Sequence, residues 1–274
     1  MAEFDSINSV TKEIKNKLSS NASSKKNILL LYAFNSTGKT RISTTMQRSE
    51  EQEKILCFNA FMEDFFTWDN EQFVFKIEKS WVIDFIEEQG DREIINNFKR
   101  FVNSKLEPNF NIDKRQVIFK MATGDDNYNE NIKISRGEES IFKWSIFYTI
   151  LTTAINNLND APKERDTKEF DDLEYVIIDD PVSSIDDSKI ISLAIQIFNI
   201  IDSYKGENRL NFIITTHHSL FYNVLYNSFG NKRNNYFQIL KKNENSYTLE
   251  YQKDSPFRIS FSCKKRNRKS YKKE

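Results

Sequence analysis

The residues best suited to chemistry in this sequence are one lysine and two adjacent aspartates. Lys39 and Thr40 come shortly after one apolar run, and Asp179 and Asp180 directly follow another, at 175–178. A lysine beside a hydroxyl group can hold phosphate oxygens and a metal ion, and carboxylates at a strand end can complete the metal site. These residue types therefore predict a site for a nucleoside triphosphate and Mg²⁺.

The segment around the lysine has the order of elements that phosphate binding needs. The apolar run NILLLY at 27–32 is typical of a buried strand, the loop AFNSTGKT follows, and RISTTMQ can form a helix whose positive end faces the phosphates. This is a P-loop pattern with Ala33 in place of the first glycine. Because alanine lacks the backbone freedom of glycine, the pattern does not predict the conformation of the turn at which the loop begins. The predicted nucleotide-binding residues are Asn35, Ser36, Thr37, Gly38, Lys39, Thr40 and Arg41.

The strand before the two aspartates is predicted to be buried on both faces. Residues 175–178, YVII, show no polar alternation, and Pro181 ends the strand because it has no N–H to donate. Ligands of open α/β folds bind beyond the carboxyl ends of such strands. Taken alone, the segment is equally a strand followed by an acidic turn, so the other motifs decide between the two.

Two further segments place polar groups at element ends. Ser135 opens a helical pattern with Glu138 three residues later, which is a capping box and a sufficient structural explanation, although a Ser-x-Gly turn can also bind an anion. The strand predicted at 210–215 leads through Thr216 into His217 and His218, which are the only histidines. In isolation, such histidines are ordinary polar residues.

Composition limits the classes of protein that this chain can represent. The 274 residues carry 40 basic and 40 acidic side chains, which argues against a protein that coats nucleic acid non-specifically. Two cysteines, Cys57 and Cys263, are too few for a disulfide framework. No apolar run approaches the length of a membrane span, so we expect no membrane association and a cytoplasmic location.

Periodicity predicts an α/β fold of alternating strands and helices. The aromatic residues near position 65 are interpreted as core packing in preference to a base-stacking platform. We expect a single domain over 1–258, with a helical part at roughly 78–158, and a basic tail at 259–274. The expected strands are 27–32, 54–59, 73–77, 116–121, 175–178 and 210–215, with a hairpin of 235–241 and 246–252 and a turn at 123–131. The expected helices are 6–19, 80–89, 91–105, and one each after the loop at 33–40, after Ser135 and after Asp186.

Four motifs occur in one order between about 27 and 220, and together they resemble the nucleotide-binding domain of ABC-type ATPases. AFNSTGKT resembles the P-loop, ISRGEE the LSGGQ signature, DDPVSSID the Walker B strand with its D-loop, and IITTHH the switch-histidine strand. The resemblance is to the branch that includes SMC, RecF and double-strand-break-repair ATPases. Within this branch, the residues of the motifs AFNSTGKT, DDPVSSID and TTHHSLF are most similar to those of ATPase subunits of bacterial phage-defence systems of the anticodon-nuclease and abortive-infection types.

The resemblance implies a P-loop NTPase of the ABC-ATPase head type. Such a head has a mainly parallel central sheet, an antiparallel β portion and a helical subdomain. About 94 residues separate the P-loop from the signature, and no heptad run is visible, so we expect no coiled-coil arms.

The resemblance also implies roles within one chain. Lys39 and the backbone around Gly38 would hold the β- and γ-phosphates, while Thr40 and Asp179 would hold Mg²⁺. Asp180 stands where the family usually has a glutamate that polarises the attacking water, and it is one methylene shorter, so we expect slow turnover. His217 would contact the γ-phosphate. The candidates for the Q-loop residue are Asn59, Glu63 and Asp64.

Other implied roles need a second copy of the chain. Ser135, Gly137 and Glu138 would complete the site of a partner subunit, and Asp186 would lie in the D-loop between two sites. ATP would then join two copies in a head-to-tail homodimer with two nucleotides in its interface, and a higher order of assembly is a further option. The expected function is an ATPase that regulates an effector, expected to be a nuclease encoded nearby, in anti-phage defence. The alternatives are a RecF-type ATPase that binds DNA, with the basic tail as a nucleic-acid contact, and an ATP-assembled clamp that needs no hydrolysis.

Overall fold

The protein is described by a computed structural model over residues 2–20, 24–59, 65–102, 105–124, 127–183, 185–230, 232 and 234–252. The helices in these residues are α1 (Ile7–Ser20), α2 (Lys39–Ser49), α3 (Trp81–Gln89), α4 (Arg92–Val102), α5 (Arg136–Asn159), α6 (Asp187–Ser203) and α7 (Ser219–Phe229). The strands are β1 (Ala2–Phe4), β2 (Lys26–Ala33), β3 (Ile55–Phe58), β4 (Phe66–Asp69), β5 (Val74–Ile77), β6 (Leu106–Asn111), β7 (Gln116–Gly124), β8 (Asn127–Asn129), β9 (Tyr175–Asp179), β10 (Leu210–Thr216), β11 (Asn235–Lys242) and β12 (Tyr247–Tyr251).

A seven-stranded sheet forms the centre of the fold, in the order β1-β12-β11-β2-β10-β9-β3. The five strands from β11 to β3 are parallel, and β12 and β1 add an antiparallel edge. Every residue of β9 and β10 is buried, as the continuous apolar runs predict for strands covered on both faces. The strand order brings the carboxyl ends of β2, β10 and β9 to one edge of the sheet.

Alternate residues of the central strands face two different groups of helices. Leu29 and Leu31 of β2 pack in a cluster with α1 and α2, whereas Ile28 and Leu30 pack in a cluster with α5, α6 and α7. This division follows from the two-residue period of a β-strand. The sheet is therefore a layer between helices, and its polar groups can reach a ligand only at the strand ends.

A second, antiparallel sheet lies against the helices α4 and α5, with the strand order β4-β5-β7-β6 and β8 paired to β7. Its buried face is aromatic. The ring of Phe142 on α5 lies 5.2 Å from Phe119 and 5.3 Å from Phe75, measured between centroids. Two residues later on α5, Trp144 lies 5.2 Å from Phe58 of β3. Helix α5 therefore connects the two sheets through aromatic contacts, each worth about 0.5–1.5 kcal/mol beyond burial.

The structure confirms the predicted fold class, a P-loop α/β fold with a mainly parallel sheet, an antiparallel sheet and helices. Core packing of the aromatic segment is also confirmed, because Phe66 is buried and Phe65 and Trp68 pack against the core. Phe61 lies outside the described residues. The interval 78–158 contains α3, α4 and α5, but it also contains β6, β7 and β8.

Several elements were not predicted. The expected turn at 123–131 contains β8, and the strands β1, β4 and β6 and the helix α7 had no counterpart in the expectations. Strand β6 has the sequence LEPNFN, whose proline and asparagines disfavour a strand. It lies at the edge of its sheet, where Pro108 can be tolerated. Strand β1 is three residues long and forms by pairing with β12, which local sequence cannot reveal.

Gly206 provides a test of the packing between α5 and the segment after α6. A Cβ atom at this position would overlap the carbonyl oxygen of Leu158 and lie 2.7 Å from the ring of Tyr204. We expect Gly206→Ala to lower the free energy of unfolding by about 1–3 kcal/mol, the usual cost of overpacking. Urea denaturation measures the change, and Ser188→Ala on the exposed side of α6 is the control, expected within about 0.5 kcal/mol of wild type. Equal stability of Gly206→Ala and wild type would contradict the described packing.

Candidate functional site

The loop between β2 and α2 has the backbone geometry of a phosphate cradle. Gly38 precedes the first residue of α2 with φ at 113°, and Ser36 is also left-handed with φ at 62°. A Cβ on Gly38 would lie 2.9 Å from Cδ1 of Ile7, and its φ is one that L side chains rarely adopt. Glycine is therefore required here, and the loop leads directly into the positive end of α2.

The ammonium group of Lys39 is surrounded by oxygen atoms. The residue is only 6% exposed, and Nζ donates to the carbonyl of Ala33 at 3.1 Å, the carbonyl of Phe34 at 3.3 Å and Oδ1 of Asn35 at 3.3 Å. It also lies 3.5 Å from Oδ2 of Asp180. A cation held in this way over the loop is placed to bind phosphate oxygens.

Asp179 ends β9 as a buried carboxylate with a hydroxyl donor on each oxygen. Thr215 Oγ1 donates to Oδ1, and Ser43 Oγ donates to Oδ2 at 3.4 Å. Burial raises the pKa of Asp179, an effect opposed by the hydroxyl groups of Thr215 and Thr40 and by the charge of Lys39, while Asp180 adds to it. The effect of the Thr40 hydroxyl on this carboxyl group indicates that the two predicted Mg²⁺ ligands lie near each other.

Asp180 follows in an unusual backbone conformation, with φ at 52° for a residue that is not glycine. Its Oδ1 accepts from Thr216 Oγ1 and from the backbone N–H of His217, both at 3.3 Å. Its Oδ2 lies 2.6 Å from Nδ1 of His217 and 3.5 Å from Nζ of Lys39. Asp180 is thus the point at which the lysine of the loop and the first histidine meet.

The second histidine has different neighbours. His218 Nε2 lies 3.2 Å from Oδ1 of Asp187, at the start of α6, and its backbone N–H donates to Thr216 Oγ1 at 3.0 Å. Asp186 precedes α6 as an exposed residue in an extended conformation. The structure therefore places His217 at the acidic pair and His218 at Asp187, the residue that follows the predicted D-loop residue Asp186.

The predicted signature residues lie in a helix start of their own. Ser135 caps α5, accepting from the N–H of Glu138 at 3.3 Å, while a carboxylate oxygen of Glu138 accepts from the N–H of Ser135 at 2.8 Å. The capping box is confirmed. Within the described ranges, no hydrogen bond or ion pair connects Ser135, Gly137 or Glu138 to the residues around Lys39.

The Q-loop candidates are only partly described. Asn59 is buried, and its amide donates to Oε1 of Gln47 at 3.1 Å. Glu63 and Asp64 lie outside the described residues. Asn59 also lines a cavity of about 610 Å³ beside the edge strand β3, together with aromatic residues such as Trp81. Lys39, Asp179, Asp180 and His217 are not among the residues that line this cavity, so it is separate from the phosphate loop.

The remaining loop residues surround the cradle. Asn35, Ser36, Thr40 and Arg41 are exposed, and Thr37 is buried with its hydroxyl donating to the carbonyl of Phe34 at 2.7 Å. The residues present fit Mg²⁺, which is usually held by one or two carboxylates, water and substrate phosphates. The part of the chain that the structure describes contains no cluster of three or more His, Cys, Asp or Glu side chains arranged for a metal. This finding is compatible with a site of Thr40 and Asp179 completed by the nucleotide.

Sequence reasoning assigned no role to Ser43, Thr215 or Thr216. All three hydroxyls donate to the acidic pair, and all three residues are fully buried. A signal was present for the threonines, because hydroxyl side chains at the end of an otherwise apolar strand need polar partners. Their partners became visible only with the register, which places Thr215 opposite Asp179.

The chain is similar to an anticodon nuclease of Escherichia coli, with 41% identity over 234 residues, which cover 75% of this chain and 59% of the relative. The predicted likeness to the anticodon-nuclease type is confirmed. The chain thus spans less than two thirds of the length of that relative. No protein-family model matches it.

Solved structures of SMC heads are also similar to this chain. The SMC head domain from Thermotoga maritima is 9% identical over 84% of this chain and 92% of that chain, with a TM-score of 0.41. An SMC head bound to the C-terminal winged-helix domain of ScpA is 11% identical over 78% of this chain and 60% of that chain, with a TM-score of 0.42. Both scores lie below 0.5, and the likeness carries no argument about function.

Two expectations concern surfaces away from the site. Among the described residues, no helix has both the length and the apolar character needed to cross a membrane. The basic tail at 259–274 lies outside the described residues, and its contact with nucleic acid stays a prediction.

The raised pKa of Asp179 leads to a test of stability. Its carboxylate is ionised at neutral pH at a cost, since burial disfavours the charged form. We expect Asp179→Asn to raise the free energy of unfolding by roughly 1 kcal/mol at neutral pH while Mg²⁺-dependent nucleotide binding is lost. Because a raised pKa in the folded state makes the wild type more stable as the pH falls, the difference should shrink at acidic pH. The control is Asp113→Asn in an exposed turn, and a destabilised Asp179→Asn protein would contradict the expectation.

Proposed function

We propose that this protein is an ATP-binding and slowly hydrolysing ATPase that dimerises around ATP and regulates an effector. The observation that carries the proposal is the meeting of Lys39, Asp180 and His217 at the end of the loop, with Asp179 directly before Asp180 at the end of β9. Phosphoryl transfer depends on positioning and on neutralising charge. This set of residues supplies both functions at one edge of the sheet.

Each residue has a defined part in the proposed reaction. Lys39 and the backbone around Gly38 bind the β- and γ-phosphates, and Thr40 and Asp179 hold Mg²⁺, which neutralises phosphate charge. A phosphate oxygen takes the place of Asp180 beside Lys39. The carboxylate of Asp180 is then free to orient the attacking water, while His217 remains near the γ-phosphate.

The proposed slow turnover follows from Asp180. Its side chain is one methylene shorter than the glutamate expected at this position, and its carboxylate is engaged by Lys39, His217 and Thr216. Releasing it from these partners costs free energy before it can orient water. A slow cycle suits a timer or a switch.

The proposed dimer follows from the position of the signature turn. Among the described residues, the signature turn of Ser135, Gly137 and Glu138 makes no hydrogen bond or ion pair with the Lys39 site of its own chain, and a second copy would bring the turn to that site. A helix start capped by Ser135 can donate N–H groups to an anion. Asp186 lies at the start of another helix and forms part of the proposed interface.

The proposed effector role rests on the similarity to an anticodon nuclease. The matched region covers 59% of that relative, and the sequence of this chain shows no second catalytic set of residues. We infer that the nuclease chemistry resides outside the matched region, in a further segment or a partner protein. In this proposal the chain is the nucleotide-dependent regulator of an anti-phage nuclease in the cytoplasm.

Replacement of Lys39 tests nucleotide binding. The matched pair is Lys39→Ala and Lys12→Ala, because Lys12 is an exposed lysine on α1. We expect Lys39→Ala to weaken ATP binding at least about 100-fold and to abolish ATP-dependent dimerisation, since a buried charge opposite the phosphates is lost. Equilibrium binding of a fluorescent ATP analogue and analytical ultracentrifugation measure the two effects. ATP binding by Lys39→Ala with wild-type affinity, or a strictly monomeric ATP-loaded wild type, would refute the proposal.

Two replacements of Asp180 test the chemical step. Asp180→Ala should bind ATP and dimerise but lose at least about 100-fold in turnover, because the group that orients water is missing. Asp180→Glu should turn over faster than wild type by a few-fold, since its carboxylate extends further. Steady-state release of phosphate is the measurement. Wild-type turnover of tens per second would show that Asp180 does not slow the reaction, and full effector regulation by Asp180→Ala would favour the non-hydrolysing clamp.

A further inference from the structure

The carboxylate of Asp179 is held from two sides by hydroxyl groups on different elements. Thr215 lies on the neighbouring strand β10, directly opposite Asp179 in the register, and its Oγ1 donates to Oδ1. Ser43 lies on α2, one turn beyond Thr40, and its Oγ donates to Oδ2 at 3.4 Å. Both hydroxyl-bearing residues are 0% exposed. With a donor on each oxygen, the carboxylate group has little freedom to rotate.

We propose that Thr215 and Ser43 are positioning residues that fix the carboxylate of Asp179 in the direction of the metal. This assignment rests on the proposed function, in which Asp179 and Thr40 hold Mg²⁺. Neither residue touches the nucleotide or the reacting atoms in this scheme. They act by aligning a metal ligand, as hydrogen-bonding partners behind metal ligands commonly do.

The surroundings of Thr215 favour this role over simple packing. Ile213 and Ile214, the residues before it on β10, are apolar and fully buried. Valine has nearly the same shape as threonine and is favoured in strands, so packing alone does not require a hydroxyl group at position 215. A buried hydroxyl costs free energy unless it has a partner. The partner of this hydroxyl group is Asp179, and we infer that the hydroxyl group is there to orient the carboxylate.

The next residue on β10 repeats the arrangement on the next carboxylate. Thr216 Oγ1 donates to Oδ1 of Asp180 at 3.3 Å, and it also accepts from the N–H of His218 at 3.0 Å. Two consecutive threonines at the end of β10 thus donate hydrogen bonds to two consecutive aspartates at the end of the parallel strand β9. The single hydroxyl proton of Ser43 is shared between the carbonyl of Thr40 at 2.9 Å and Oδ2 of Asp179 at 3.4 Å, which connects Asp179 to the helix that begins at the phosphate loop.

The test replaces Thr215 in the full chain and measures the requirement for Mg²⁺. We expect Thr215→Val to raise the Mg²⁺ concentration needed for half-maximal binding of a fluorescent ATP analogue by about 10-fold, within the 10–100-fold range typical of partners behind metal ligands. The Mg²⁺ concentration for half-maximal ATPase activity should rise by the same factor. Turnover at saturating Mg²⁺ should stay within about three-fold of wild type. Thr215→Ser, which keeps the hydroxyl, should restore the Mg²⁺ requirement to within about two-fold. Ser43→Ala should shift it in the same direction as Thr215→Val.

Thr11→Val is the matched control, because Thr11 is also buried and its hydroxyl donates to the carbonyl of Ile7 within α1. It should leave the Mg²⁺ requirement unchanged. A Thr215→Val protein that folds and shows the wild-type Mg²⁺ requirement would overturn the positioning role. So would an equal loss with Thr215→Ser, which would indicate that shape and not the hydroxyl matters. Failure of wild type to bind ATP would instead overturn the proposed function, and the two failures are therefore distinguishable.

Discussion

The ion pair between Lys39 and Asp180 is the interaction on which the site depends. It joins the phosphate loop after β2 to the acidic end of β9, and His217 at the end of β10 contacts the same carboxylate oxygen. Both charges are shielded from water to a large extent, and removing one partner of such a pair commonly costs about 3–5 kcal/mol. Three strand ends are therefore joined by one ion pair and one contact of a histidine ring, on a sheet whose hydrophobic packing fixes their order.

The sheet itself explains why these particular strands meet. β10 lies between β2 and β9, and all three run parallel, so their carboxyl ends cannot be far apart. The helices on either face bury the apolar residues of the strands and leave the strand ends as the polar part of the molecule. The antiparallel sheet and α5 take no part in the charged cluster, but α5 carries the Ser135 turn at its start. Its aromatic contacts with both sheets give that turn a fixed position.

Much of this arrangement could be predicted from sequence, for identifiable reasons. The central strands are uninterrupted apolar runs, and their polar endings are short and specific, so the loop at 33–40 and the acidic pair were found without a structure. The capping box at Ser135 could also be predicted, because Ser135 and Glu138 form a local pattern whose spacing of three residues is specific to a helix start. By contrast, β1 exists only through pairing with the distant strand β12, and β8 is a three-residue strand paired to the end of β7 just before it. The edge position of β6 compensates for an unfavourable sequence. The roles of Ser43 and Thr215 depend on register across the sheet, which no local pattern contains.

The contact between Gly38 and Ile7 connects the phosphate loop to the first helix of the chain. The space where a side chain on Gly38 would lie is occupied by the end of Ile7, so the loop has no free volume on that side. Any inward displacement of the loop must be accompanied by a displacement of α1, whose other apolar residues are anchored on the sheet. Displacements of the loop and of helix α1 are therefore coupled. A spectroscopic label on the solvent-facing side of α1 would report motion of the loop without occupying the nucleotide site.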